Sequence, residues 1–329
     1  MTDWTDFTVF DEAIAWEEAQ TALEEAELSD GLPMVPPTRR RLEAMLANVA
    51  DPDRSYGQLP PLFGEITPRG VAYNCVLAGC RPAELPVVLT AAAACIETQF
   101  NILGILTTTG TACVATVVHG PITSALGMNG GTNTLGPGNR ANACIGRAIA
   151  LVMRNIGGAR AGIGDMATMG QPGKYSFCFA ESSEAVLPSF AVRQGLPPEA
   201  NALTVLGVSG SAEILPAGDP ASPEVILQPF ALAMTTSVAV CSMARRNERG
   251  EQVILLPPEM ANQIVRHGWD IGRVQDWLYE ASLAHDPQGA AASPRGIHVI
   301  LTGGAGMKMT HLPLWGGGTA PITTPIIRL

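Results

Sequence analysis

The chain has 329 residues, 47% of them hydrophobic and only 15% charged, with a formal net charge of −10. That length and apolar share support a large buried core, as one domain or two lobes, and exclude an intrinsically disordered chain. The acidic balance, with no basic run beyond Arg39-Arg40-Arg41, argues against nucleic acid as a partner, and no apolar run reaches the ~18 residues of a membrane-spanning helix.

The acidic start MTDWTDFTVFDEAIAWEEAQ is the opposite of a signal peptide's basic one, so a cytoplasmic location is expected. Seven cysteines without paired spacing fit reduced thiols there better than a disulfide framework. Residues 8–30 read as an acidic amphipathic helix that docks on the body or on a neighbouring subunit of a homo-oligomer. LPMVPPT reads as a short buried strand, after which Thr38 caps a helix to about Val49. Thr67-Pro68 opens a helix to about Cys80, and Pro82 opens another to about Glu97. Residues 101–118, rich in Ile, Leu, Thr and Val around Gly110, read as two strands or a hairpin.

The stretch from His119 to Glu181 is the centre of interest. Between His119 and Lys174 it carries four Arg and one Lys against one Asp, a net +4 in an acidic protein. A positive, glycine-rich island points to a small anionic ligand. Residues 126–140 must be loop, and a helix follows from about Ala141 to Asn155, capped by Asn139 or Asn142 and stopped by Gly157-Gly158. Arg140, Arg147 and Arg154 share one side of it at seven-residue spacing, with the latter two expected as a solvated or subunit-facing stripe. Gly162–Gly173 is loop again and leads into the strand KYSFCFA.

In the second half LTVLGVSG, PEVILQPF, EQVILLP and GIHVILTGG read as strands. PFALAMTTSVAVCSMARR, with Arg245-Arg246 in its last turn, PPEMANQIVRHGW and DIGRVQDWLYEASLA read as helices. The alternation implies an α/β fold, with mixed or mostly parallel sheets covered by helices. It forms one enzyme unit of 329 residues, with lobes at 1–182 and 183–329 and the site between them.

Backbone amides of the Gly136–Asn142 loop at a helix start, with Gly138, Asn139 and Arg140, form the expected anion cradle, and Asn129 and Asn133 add polar groups. Only Lys174 and Lys308 among 20 basic residues are lysines, and both stand in glycine-rich motifs. A lysine differs from arginine in that its amine can lose its proton and act as a base or nucleophile. His119 and His311, beside these loops, are acid–base candidates, as is Glu181; Cys80, next to Arg81, is the candidate thiol. Neither GxxxxGK[ST] nor a strand-to-helix GxGxxG occurs, and the histidines and cysteines lack metal-site spacing, so no nucleotide or metal signature is present and the cofactor is unknown.

AGCRPAELPVV (78–88), GPGNRANACIGRA (136–148), NIGG (155–158), GQPGKYSFCFAE (170–181), PPEMANQIVRHGW and GGAGMKMTH together resemble the large component of the UGSC-motif (seleno)protein family. The chain departs from it at Met260, where a histidine is usual, and contains no CGSC. The resemblance implies thiol- or selenol-linked redox or bond-cleaving chemistry on a small anionic substrate, with a small CGSC-bearing partner. Two alternatives stand beside it. One is a lyase or hydrolase using Lys174, His119 and Glu181; the other is a non-catalytic ligand-binding subunit.

Overall fold

The computed structural model describes residues 4–184, 186–241 and 250–329. Its helices are α1 (Trp16–Glu25), α2 (Arg39–Met45), α3 (Pro68–Ala78), α4 (Leu85–Cys95), α5 (Ile102–Thr107), α6 (Ile122–Ala125), α7 (Arg140–Asn155), α8 (Phe190–Arg193), α9 (Pro223–Cys241), α10 (Pro258–Arg266) and α11 (Ile271–Leu283). The strands are β1 (Gln58–Leu59), β2 (Gly64–Glu65), β3 (Cys113–His119), β4 (Cys178–Ala180), β5 (Ala202–Val208), β6 (Ala212–Ile214), β7 (Gln252–Leu256), β8 (Ile297–Leu301), β9 (Met309–Pro313) and β10 (Ile322–Pro325).

Two four-stranded mixed sheets carry the fold, in the orders β10-β5-β3-β4 and β6-β9-β7-β8. Each contains one parallel pair, β3 with β4 and β7 with β8. The period-two alternation of each strand divides its side chains between two cores. Ala115 and Val117 of β3, Leu206 of β5, Val253 and Leu255 of β7 and Ile300 of β8 meet in a layer between the sheets. Their neighbours Val118, Leu203 and Val205 face outward and pack with residues of α3, α4 and α7. Ile254, Leu256 and Val299 do the same beneath α9, α10 and α11. The result is four layers, helix–sheet–sheet–helix, so the expected α/β class is the class found.

Local chemistry explains the elements. Thr67 accepts a hydrogen bond from Gly70 N at the start of α3, where Pro68 lacks the N–H that would be orphaned. Asn139 does the same for Asn142 N at the start of α7. Gly120, with φ of +85°, stops β3; a Cβ there would lie 2.1 Å from the Ala200 carbonyl oxygen.

Four expected elements came out differently. Residues 102–107 are helical, because Asn101 accepts from Gly104 N and Ile102, Ile105 and Leu106 repeat with helical spacing. PEVILQPF belongs to α9, where Ile226, Leu227, Phe230 and Met234 form one buried stripe despite Pro229 inside the helix. LPMVPPT is a strap rather than a sheet strand: it makes only a single bridge, Thr38 to Phe10, and its Met34 backbone is held by the Gln20 side chain. KYSFCFA forms a strand only over Cys178–Ala180, since Pro172–Lys174 is a 3₁₀ turn. Helix α1 is also shorter than residues 8–30, because Phe10 pairs instead with Thr38. Arg245 and Arg246 lie outside the described residues. An 18-residue window of α9, Pro223–Val240, has mean hydropathy 1.2 and is 44% buried.

The sheets do not divide the chain at residue 182: β5 and the final strand β10 both belong to the first sheet. The chain therefore crosses between sheets more than once, and this ties the lobes together.

Candidate functional site in the interlobe cleft

The two parallel pairs end at the same place. Ser182 N donates to the Leu301 carbonyl (2.7 Å), and the Thr302 hydroxyl donates to the Ala180 carbonyl (2.8 Å), joining the carboxyl ends of β4 and β8. Gly303 N donates to the Gly130 carbonyl at 2.9 Å, so the glycine loop that follows β8 is laced to the one between β3 and β4. Glycine is required at this seam: a Cβ on Gly304 would stand 2.1 Å from Thr132 Oγ1 and 2.7 Å from its Cα. Around the seam lie two adjoining hollows of about 510 and 520 Å³ that share Thr132, Gly303, Gly304 and Ala305. A crevice beyond the carboxyl ends of parallel strands is where α/β sheets bind ligands.

Glu181 reaches this crevice directly after β4. Its carboxylate bonds His119 Nδ1 at 2.6 Å, and both its oxygens accept from Phe190 N at 2.9 Å. His119 Nε2 lies 2.8 Å from the Thr204 hydroxyl, which lies 2.9 Å from that of Thr323. An ionised carboxylate only accepts, so the Nδ1–H donates to Glu181, and in the neutral ring Nε2 accepts from Thr204. Both partners are almost fully buried, at 1% and 6% exposure. The sequence signal for Thr204 was available: a lone polar residue in an apolar strand, on the same face as Leu206.

The wall of the cleft is acidic. Glu181, Glu184 and Glu259 border one hollow, and Glu259 accepts from Gly306 N at 2.7 Å. Lys308 borders the other, but pairs with Glu213 at 2.8 Å in an exposed position. Serines 124, 182 and 183 and threonines 123 and 132 supply hydroxyls. Among the described residues no cysteine lines either hollow.

The asparagines build the loop. Asn129 Oδ1 accepts from Gly131 N and its Nδ2 donates to the Thr132 carbonyl. Asn142 both accepts from Asn129 N and donates to its carbonyl; Asn133 holds Pro137, and Asn139 holds Gly127 and the start of α7. Gly136 packs over the Asn133 side chain at the rim of the second hollow. Gly138, at φ +113°, turns through open space. In place of an anion, Arg140 holds Glu84, which it grips with both terminal nitrogens. The +4 of the sequence island is largely matched inside the fold: Arg147 pairs with Asp30, Arg160 with Glu27 and Lys174 with Asp165.

Three more expected residues are placed elsewhere. Lys174 lies beside Cys113 at the start of β3, while His119 ends that strand six residues on, roughly 20 Å away. The two cannot act on one small substrate together. Cys80 is half-buried, and its thiol is pushed well above the ordinary range by the Cys75 thiol, by burial and by the nearby Glu84 and Cys144. Such a thiol is a poor nucleophile at neutral pH.

His311 lies on β9, bonded to the Gln252 side chain at 2.7 Å, and burial lowers its pKa to about 4. A folded pKa below the unfolded value of about 6.5 means the unfolded chain binds the proton first. The resulting stability is complete above pH 6.5 and is lost as pH falls from there toward 4. The expected loss is on the order of 3 kcal/mol, read from urea midpoints between pH 7 and 4. The His311→Gln variant should flatten that dependence.

No family profile, no curated protein and no solved structure matches the chain, so the reading of the cleft rests on its own geometry.

Proposed function

We propose that the chain is an acid–base enzyme, of the lyase or hydrolase kind, whose small polar substrate sits in the interlobe cleft beside Glu181. The observation that carries this is the Glu181–His119 pair, bonded at 2.6 Å where the carboxyl ends of β3 and β4 open into the cleft. A carboxylate whose second partner can take or release a proton is suited to general acid–base catalysis. Carboxylates in the wall disfavour an anionic substrate, and the hydroxyls and loop amides favour a neutral or cationic molecule rich in hydrogen-bonding groups. Glu181 handles the proton, and His119, oriented by Thr204, holds the carboxylate in place.

A thermal-shift screen of small polyols, amides, amines and carboxylates tests this. Neutral or cationic hits are expected, and they should disappear in Ser183→Trp, which plugs the cleft from an exposed position without altering the unliganded melting temperature. The proposal fails if no hit depends on Ser183.

A further inference from the structure

A separate hollow lies at the opposite end of β3 from His119. Its inner chamber, about 120 Å³, is walled by Leu106, Ala112, Cys113, Val114, Leu151 and Met153. It opens into a vestibule of about 390 Å³ bordered by Arg154, Arg160, Lys174 and Tyr175. Asp30, Arg154, Ala159 and Lys174 line both spaces, so the two are continuous. Most of the chamber's lining is apolar, its charged members being Asp30, Arg154, Asp165 and Lys174, and burial pushes the Cys113 thiol up to about 12, which keeps that wall uncharged.

The charges at the junction are incompletely matched. Lys174 is held by Asp165 at 2.5 Å, and Asp30 by two bonds of 2.8 Å from Arg147. Arg160 pairs with Glu27, yet its Nε is buried with no partner among the described residues. Arg154 donates from Nε to the Ser29 carbonyl at 2.9 Å, and among the described residues its two terminal nitrogens have no hydrogen-bond or carboxylate partner. Burial, and then repulsion from Arg160, lower the Arg154 pKa against the attraction of Asp30 and Glu27. Two guanidinium groups that repel each other, one with a buried orphan N–H, at the mouth of an apolar chamber form an incomplete ion cluster. A planar carboxylate completes it, because a guanidinium fork binds both of its oxygens.

We propose that this pocket is a separate binding site for a small monocarboxylate with a short unbranched apolar tail. The carboxylate lies on the terminal nitrogens of Arg154, and the tail fills the chamber behind it. At about 30 Å³ per heavy atom the chamber holds a tail of about four carbons.

Isothermal titration of the full chain at pH 7 with sodium pentanoate, acetate and inorganic phosphate tests this. One site is expected, with pentanoate bound about ten- to fifty-fold more tightly than acetate for its three additional methylenes. Arg154→Gln should weaken pentanoate at least ten-fold. Ala150→Leu, which narrows the chamber, should erase the advantage over acetate, and this variant decides the matter if Arg154→Gln fails to fold. Pentanoate no tighter than acetate, phosphate bound as well as pentanoate, or unchanged affinity in a folded Arg154→Gln would each overturn the proposal. Ser183→Trp should leave pentanoate binding intact; its loss there would put the ligand in the interlobe cleft and overturn the second site.

Discussion

Arg140→Ala is expected to destabilise the protein by about 3–5 kcal/mol, measured as a lower urea midpoint at pH 7. The Glu84 side chain is only 1% exposed, while that of Arg140 is 36% exposed. Glu84 also accepts from Arg81 N at 2.9 Å and so fixes the turn between α3 and α4. Deleting the arginine leaves that carboxylate buried beside a few amide and carbonyl dipoles, and a buried charge without its partner is far more costly than an absent pair. The double variant Glu84→Gln/Arg140→Ala should recover part of the loss, because it removes the stranded charge. An Arg140 that served as a solvent-facing anion clamp would behave otherwise: its loss would weaken a ligand and leave the midpoint unmoved.

Glu181→Gln should lower turnover of a cleft substrate about 10²- to 10⁴-fold, while its melting temperature stays close to that of the parent. The glutamine oxygen still accepts from Phe190 N, and its amide donates to His119 Nδ1 once the ring proton moves to Nε2, so the packing survives and only proton transfer is lost. Ligand binding should be retained, which separates an enzyme from a binding subunit. Turnover near the parent level in this variant would remove Glu181 from the chemistry.

Much of the scaffold was legible in the chain. Thr67-Pro68 and Asn139 announce helix starts because their side chains satisfy first-turn amides without help from the rest of the fold. The alternation of strand segments with helical ones is equally legible, and it foretold a sheet covered by helices. His119 and Glu181 were both singled out as acid–base residues, and the fold brings them within 2.6 Å. Residues 102–107 and 223–230 were misread because a short apolar run fits a buried strand and a buried helix equally well, and only packing chooses.

By itself the sequence determined the α/β class and the glycine turns, both consequences of backbone preference and of the spacing of apolar residues. Tertiary structure alone decided which charges meet. Arg140 finds Glu84 across 56 residues and Glu181 finds His119 across 62, while Lys174 is carried to the far end of β3. The reason is physical: periodicity assigns a side chain to a face, but a buried charge is tolerated only where the assembled fold supplies its partner. Hence a +4 island that read as one anion site became three things: a set of internal ion pairs, an acidic cleft between the lobes, and one unmatched guanidinium beside an apolar chamber.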